Sequence, residues 1–276
     1  MKMKVVVIAA VLLFTGVAFA QDWAVKTLEQ SPRHGEWVTV KAGDRNVSAF
    51  VVYPESKKKA PVVIVIHEIF GMTDWVRTVA DKLAANGYIA IAPDLLSGFG
   101  PNGGRSTDYP NVDAAREAVG KLPPEAVTED LNAVADYVKK LPASNGKLAV
   151  VGFCWGGSQS FRFATDRKDL SAAFVFYGTA PNAGAQAQFT PDAAALARIT
   201  APVYGFYAGN DARVDATIDA TRQAMQAAGK KYDPVTYEGA GHGFMRAGED
   251  PSNTNPANKT AHDQAWQRWL DLLKKM

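Results

Sequence analysis

Apolar positions along this chain recur with two different periods. Residues 62–66 (Val62-Val63-Ile64-Val65-Ile66) form a short, continuous apolar run of β-branched residues, and 88–92 and 147–151, the latter apolar after Lys147, are similar. That is the pattern of strands buried on both faces. Between and after them, apolar residues fall at helical spacing. Val76, Val79, Ala80 and Leu83 follow Asp74, a plausible N-cap, and end at Asn86-Gly87. Helical patterns return over 112–119, over 126–141 behind Pro123-Pro124, and over 158–164, 216–228 (with Gly229 as C-cap) and 259–275. Extended segments are expected at 172–177, 202–207 and 235–237. Before the first buried run, 37–40 and 47–53 flank the turn residues Gly43-Asp44 and predict an antiparallel hairpin. Residues 96–110 are rich in Gly, Pro and Asn and read as a loop.

Strands alternating with helices imply βαβ units. The expected fold is α/β: a mostly parallel central sheet flanked by helices, with an antiparallel N-terminal hairpin. No internal repeat or linker divides the pattern, so residues 21–276 are expected to form one domain.

The first twenty residues stand apart. Lys2 and Lys4 precede an uncharged apolar run, 5–20, that ends in Ala18-Phe19-Ala20 before the polar Gln21-Asp22. This is the organisation of a cleavable signal peptide. The run is shorter than the ~20 apolar residues of a typical membrane span. Export to a periplasm or the outside is therefore expected, with no membrane attachment after cleavage. No cysteine lies near Ala20, so a lipid-modified mature N-terminus is excluded.

Charge narrows the function classes. The chain has 30 basic and 28 acidic side chains, and loss of Lys2 and Lys4 leaves equal numbers. Nucleic-acid binders usually carry a basic excess or stripe. The one dense run here, Lys57-Lys58-Lys59 before Pro61, reads as a solvated turn. Nucleic acid is not an expected partner, and a monomer acting on a small molecule is expected. The chain holds one cysteine, Cys154. An internal disulfide, a CxxC redox pair and a cysteine-based zinc site are all impossible, and no metal or cofactor is implied.

That cysteine sits in Gly152-Phe153-Cys154-Trp155-Gly156-Gly157, between a buried strand and a helical segment. This is a G-x-nucleophile-x-G turn with cysteine in the usual serine position. A strand that turns into a helix around one residue brings the chain so close to itself that side chains two before and two after would collide. The nucleophile then projects beside a helix N-terminus, whose amides favour a thiolate and a developing oxyanion. A base and an orienting acid should follow in the chain order nucleophile, acid, base. Asp211, ending Gly209-Asn210-Asp211 after the strand at 202–207, suits the acid, although an Asx turn or helix N-cap would also explain it. His242, within Gly239-Ala240-Gly241-His242-Gly243, suits the base because imidazole titrates near neutral pH. His34 lies before the sheet, His262 reads as a surface residue of the last helix, and His67 ends the strand at 62–66.

These motifs, with His67-Glu68-Ile69-Phe70-Gly71, Pro93-Asp94-Leu95 and Gly241-His242-Gly243-Phe244-Met245-Arg246, resemble in order the dienelactone hydrolase (carboxymethylenebutenolidase) family of α/β-hydrolases. The resemblance runs from about residue 47 to the C-terminus. It implies the α/β-hydrolase fold and hydrolysis of small esters or lactones by a Cys154-His242-Asp211 triad through a thioester. It implies that Glu68 contacts the nucleophile at rest and helps generate the thiolate when substrate binds. It places the backbone amides of Ile69 and Trp155 in an oxyanion hole, and Arg246, with Arg116 as a second arginine, on a substrate carboxylate. His67 stands where the family often has glutamine, and the Gly-rich stretch 97–105 is individual. Three alternatives stay open: a thioesterase or general carboxylesterase with the same triad, a peptidase, and a catalytically silent fold that binds a carboxylated ligand.

Overall fold

The structure, a computed structural model, describes residues 21–184 and 188–276. The expected signal segment, 1–20, lies outside the described residues. Eight strands build one sheet: β1 (Gly35–Ala42), β2 (Arg45–Val52), β3 (Ala60–Ile66), β4 (Ile89–Pro93), β5 (Ser144–Phe153), β6 (Ala172–Phe176), β7 (Val203–Ala208) and β8 (Tyr232–Tyr237). Their order is β1-β2-β4-β3-β5-β6-β7-β8. β1 and β2 form the expected hairpin, β2 runs antiparallel to β4, and every pairing from β4 to β8 is parallel. Pro234 is tolerated in β8 because that strand is an edge, where a missing N–H costs little.

The helices are α1 (Asp22–Glu29), α2 (Asp74–Ala85), α3 (Val112–Gly120), α4 (Pro124–Lys139), α5 (Trp155–Asp166), α6 (Ala193–Ala197), α7 (Ala212–Asp215), α8 (Ile218–Ala227), α9 (Phe244–Ala247) and α10 (Pro256–Leu273). Successive side chains of a strand point to opposite faces, so the continuous apolar runs supply two cores at once. Val63 and Val65 join Trp75 and Val79 of α2 and Trp269 of α10 on one face. Val62, Ile64 and Ile66 join Leu131 of α4, Phe161 of α5 and Met225 of α8 on the other. A smaller cluster packs Ala115 and Val119 of α3 onto Leu96, Ile69 and Trp155.

Several local expectations are corrected. Residues 22–29, with only Ala24 buried, form a helix that packs on α2, and the Gln21 side-chain carbonyl accepts from the Trp75 amide at 2.8 Å. Thr73, not Asp74, is the N-cap of α2; Asp74 lies inside the helix and pairs with Arg77. The helix expected over 216–228 is α8, and the separate four-residue α7 precedes it, while α5 and α10 begin three residues before the expected 158 and 259. The loop 96–110 contains two 3-10 turns, Pro101–Gly103 and Ser106–Asp108. The second is tied to buried Asp94, whose carboxylate accepts from the Ser106 hydroxyl at 2.6 Å and the Ser106 amide at 3.0 Å. His262 is not a surface residue: its ring is 12% exposed and Nε2 lies 2.9 Å from Glu249, which also pairs with Lys82 at 2.6 Å.

Trp269 is fully buried against Phe153, Phe174 and Phe176, with ring centroids 5.3–6.1 Å apart. Trp269→Ala should cost about 3–5 kcal/mol of stability in urea unfolding, from lost burial plus a cavity. Trp269→Phe should cost distinctly less.

Candidate active site

Parallel strands end together at one edge of the sheet, and in open α/β sheets that edge is where sites form. Here the segments following β3, β5, β7 and β8 carry Glu68, Cys154, Asp211 and His242. A cleft of about 610 Å³ is lined by all four, and by Ile69, Trp155, Arg116 and Arg246. All the residues singled out from the sequence for the site therefore meet in one place.

Cys154 connects β5 directly to α5 with φ +57° and ψ −118°. An L residue there carries strain of about 1–3 kcal/mol. The neighbouring backbone leaves no alternative. A Cβ on Gly152 would lie 1.8 Å from the Gly156 carbonyl oxygen, and one on Gly156 would lie 2.3 Å from the His67 carbonyl oxygen. The close approach expected at these two positions is thus present, and only glycine fits it. Trp155 is the first residue of α5, so its amide has no acceptor within the helix. The thiol is half-buried and opens on the cleft.

His242 Nδ1 donates to Asp211 Oδ2 at 2.5 Å. Asp211 is at the same time the N-cap of α7, where Oδ1 accepts weakly from the Val214 amide at 3.4 Å. The Asp211 carboxylate therefore makes both the imidazole contact and the helix-cap contact. Burial lowers the His242 pKa, but hydrogen bonds to Cys154 and Asp211, and the charge of both, outweigh it and push it up to about 9. The ring packs edge-on against Tyr177, centroids 5.0 Å apart.

Glu68 is placed differently from the expected resting contact with the nucleophile. It is buried, and Oε2 accepts from Arg246 Nε at 2.8 Å. Burial lowers the Arg246 pKa, yet the Glu68 charge and hydrogen bond dominate and raise it. The guanidinium also lies 5.4 Å from the Phe70 ring centroid. Arg116 projects from α3, which packs on Ile69 and Trp155.

Five further lining residues had been given no site role from the sequence: Phe70, Ser158, Tyr177, Thr179 and Arg213. Ser158 Oγ accepts from the Thr179 amide at 2.8 Å. Tyr177 has φ +39°, and its buried hydroxyl has no hydrogen-bond partner among the described residues. Burial, and the nearby Glu68 carboxylate, raise its pKa, keeping it a neutral donor. A usable signal existed: Tyr177 and Thr179 directly follow β6, Arg213 follows Asp211 by two, and Ser158 lies one helical turn after Cys154. Among the described residues no cluster of three or more His, Cys, Asp or Glu side chains could hold a metal, and no helix is long and apolar enough to cross a membrane.

Comparison with known proteins bears on the family and the fold. The model of the "Dienelactone hydrolase family" matches residues 47–276. A Yersinia pestis protein provisionally named carboxymethylenebutenolidase is 34% identical over 242 residues, covering 86% of each chain. One from Escherichia coli K12, named in the same way, is 30% identical over 268 residues, covering 95% of each. A crystal structure from Klebsiella pneumoniae, provisionally named a dienelactone hydrolase, superposes with a TM-score of 0.73 at 28% identity, over 88% of this chain and 99% of the other.

The raised His242 pKa has a stability consequence. An imidazolium held between Cys154 and Asp211 stabilises the folded state fully below pH 6.5, and that contribution is lost as pH rises through about 9. The gap in urea midpoint between wild type and Asp211→Asn should therefore narrow steadily across this range. A gap that stays constant with pH would mean that the His242 charge is not held by Asp211.

Proposed function

The chain belongs to the dienelactone hydrolase family of α/β-hydrolases, hydrolases that act on esters and lactones, and from that premise we propose a cysteine-based acyl transfer on small carboxylate-bearing substrates. The observation that carries the reading is the aligned set: a thiol on a strained turn, an imidazole beside it, and a carboxylate 2.5 Å from that imidazole. The Cys154 thiolate attacks the substrate carbonyl carbon, forming a C–S bond as the carbonyl electron pair moves to oxygen. The amides of Ile69 and Trp155 are the donors for that oxyanion, one from the turn after β3 and one from the start of α5. On collapse the C–O bond breaks, and the His242 imidazolium gives its proton to the departing alkoxide. Water then attacks the thioester, His242 takes its proton, and the thiolate leaves again. Thiolates are themselves good leaving groups, so lactones, enol esters and aryl esters should react much faster than amides. The reading includes export through residues 1–20, which their sequence pattern supports.

Arginines in the cleft support an anionic substrate. The Nε of Arg246 is taken by Glu68, while its Nη groups donate to no described residue and suit a carboxylate in a bidentate way. A substrate carboxylate there would compete with Glu68 for the guanidinium. Arg246→Ala is consequently a poor probe, since it strips the buried Glu68 of its partner.

Cys154→Ala should retain its folded circular dichroism but lose at least about 1,000-fold in kcat/KM on whichever lactone or aryl ester the wild type cleaves best. Rapid-quench mass spectrometry of the wild type should show the acyl group on Cys154, released by hydroxylamine. Full hydrolysis by Cys154→Ala would end the reading, and cleavage of peptides but not esters would redirect it to a peptidase.

A further inference from the structure

We propose that Arg213 forms a second anion subsite, so that the substrate class is an ester or lactone with an anionic group on each side of the scissile carbonyl. The proposal rests on the ester-hydrolase reading above. The chain has twelve arginines. Ten of them, Arg246 among them, hydrogen-bond or ion-pair with described protein groups. The two that do neither are Arg116 and Arg213, and both line the cleft that holds Cys154. Asp215, two residues beyond Arg213, does not pair with it, and the Asp211 carboxylate is taken by His242.

The sheet order sets these two cations apart. Arg213 lies on α7 after β7, whereas Arg116 lies on α3 after β4. β5, which carries the nucleophile, stands between them, with β3 on one side and β6 on the other. At ~4.8 Å per strand, each parent strand is ~10 Å from that of Cys154. Arg116 and Arg213 therefore follow strands on opposite sides of the one that leads into Cys154, and the resemblance puts Arg116 with Arg246 on one carboxylate, leaving Arg213 for the other. In a chain whose other arginines have protein partners, two solvent-exposed guanidinium groups that line the cleft of one thiol, with no partner among the described residues, match the two ends of a dianion.

Four aryl esters test this: phenyl acetate, 4-carboxyphenyl acetate, phenyl hydrogen succinate and 4-carboxyphenyl hydrogen succinate. The wild type should have its highest kcat/KM on the last. Arg213→Ala should lower the ratio of kcat/KM for the dianionic over the neutral ester at least about tenfold. The loss should be larger at low ionic strength, and Arg213→Lys should recover part of it. Of the two singly charged esters, one should respond to Arg213→Ala and the other to Arg116→Ala. Equal loss on all four esters, an unchanged ratio, or both variants acting on the same carboxylate overturns the subsite while leaving the hydrolase reading intact. A wild type inert to all four overturns both.

A different observation concerns His67, a fully buried histidine that the acyl-transfer chemistry does not use. Its Nδ1 donates to the Glu68 carbonyl at 2.6 Å, and its ring stacks on the Trp155 indole with centroids 5.4 Å and planes 12° apart. The Glu68 carbonyl belongs to the same peptide unit as the Ile69 N–H. The geometry points to His67 as a positioning residue that holds both amides of the oxyanion site. A hydrogen bond to the carbonyl fixes the plane of that peptide and polarises its N–H, while the stacking braces the start of α5. Nε2 has no partner among the described residues, consistent with a neutral ring protonated at Nδ1.

Paired oxygen and thiono esters separate positioning from mere stability, because a thiono sulfur accepts hydrogen bonds poorly. His67→Leu should lower kcat for the oxygen ester with little change in KM, and shrink the wild-type preference for oxygen over sulfur at least about fivefold. His67→Asn, whose side-chain N–H can reach the same carbonyl, should restore much of that preference. Proportional loss on both esters overturns the positioning role. A wild type with no preference for the oxygen ester overturns the oxyanion site itself, and the positioning role with it.

Discussion

The closest backbone approach in the functional half of the molecule is that of α5 onto the ends of β3 and β5. The Gly156 Cα–H faces the His67 carbonyl, and Gly152 faces the Gly156 carbonyl, at distances no Cβ would allow. Because these segments touch through bare backbone, the chain must reverse around a single residue, and Cys154 takes the left-handed conformation. Everything chemical in the cleft is referred to that position. The thiol stands at the head of a helix, the Trp155 amide is released from helical bonding, and the turn after β3 is drawn close enough for His67 to stack on Trp155.

Charge is arranged around this turn rather than spread over the molecule. The buried carboxylates beside the thiol each have one cationic or potentially cationic partner: Asp211 has His242 and Glu68 has Arg246. Burial makes each partner costly to remove, since a lone charge left in low dielectric has no compensation. The arginines without protein partners lie in the same cleft, where a substrate can supply the missing charge.

The elements most legible in the sequence were those decided by local rules. The β-branched runs could only be strands covered on both faces, and alternation with helical segments then left a parallel sheet as the economical arrangement. Less legible were helices too short to show a period, such as α7 and α9 with four residues each. α1 was missed because eight residues are too few to establish a period, and its apolar residues Trp23 and Ala24 find their partners only in the folded chain. His262 was misplaced because its burial depends on Glu249 and Lys82, which lie on other segments of the chain.

The linear order of residues by itself singled out Cys154, Asp211 and His242 as candidate nucleophile, acid and base, because a G-x-C-x-G turn between strand and helix has few physical solutions and strand ends converge at one edge. Only the tertiary structure decided who pairs with whom. It joined Arg246 to Glu68, brought Arg116 to the cleft through the packing of α3 on Ile69 and Trp155, and left Arg213 in the same cleft with no partner among the described residues. Those outcomes depend on which strands lie side by side and how long side chains reach between them, and neither is written in the spacing of residues along the chain.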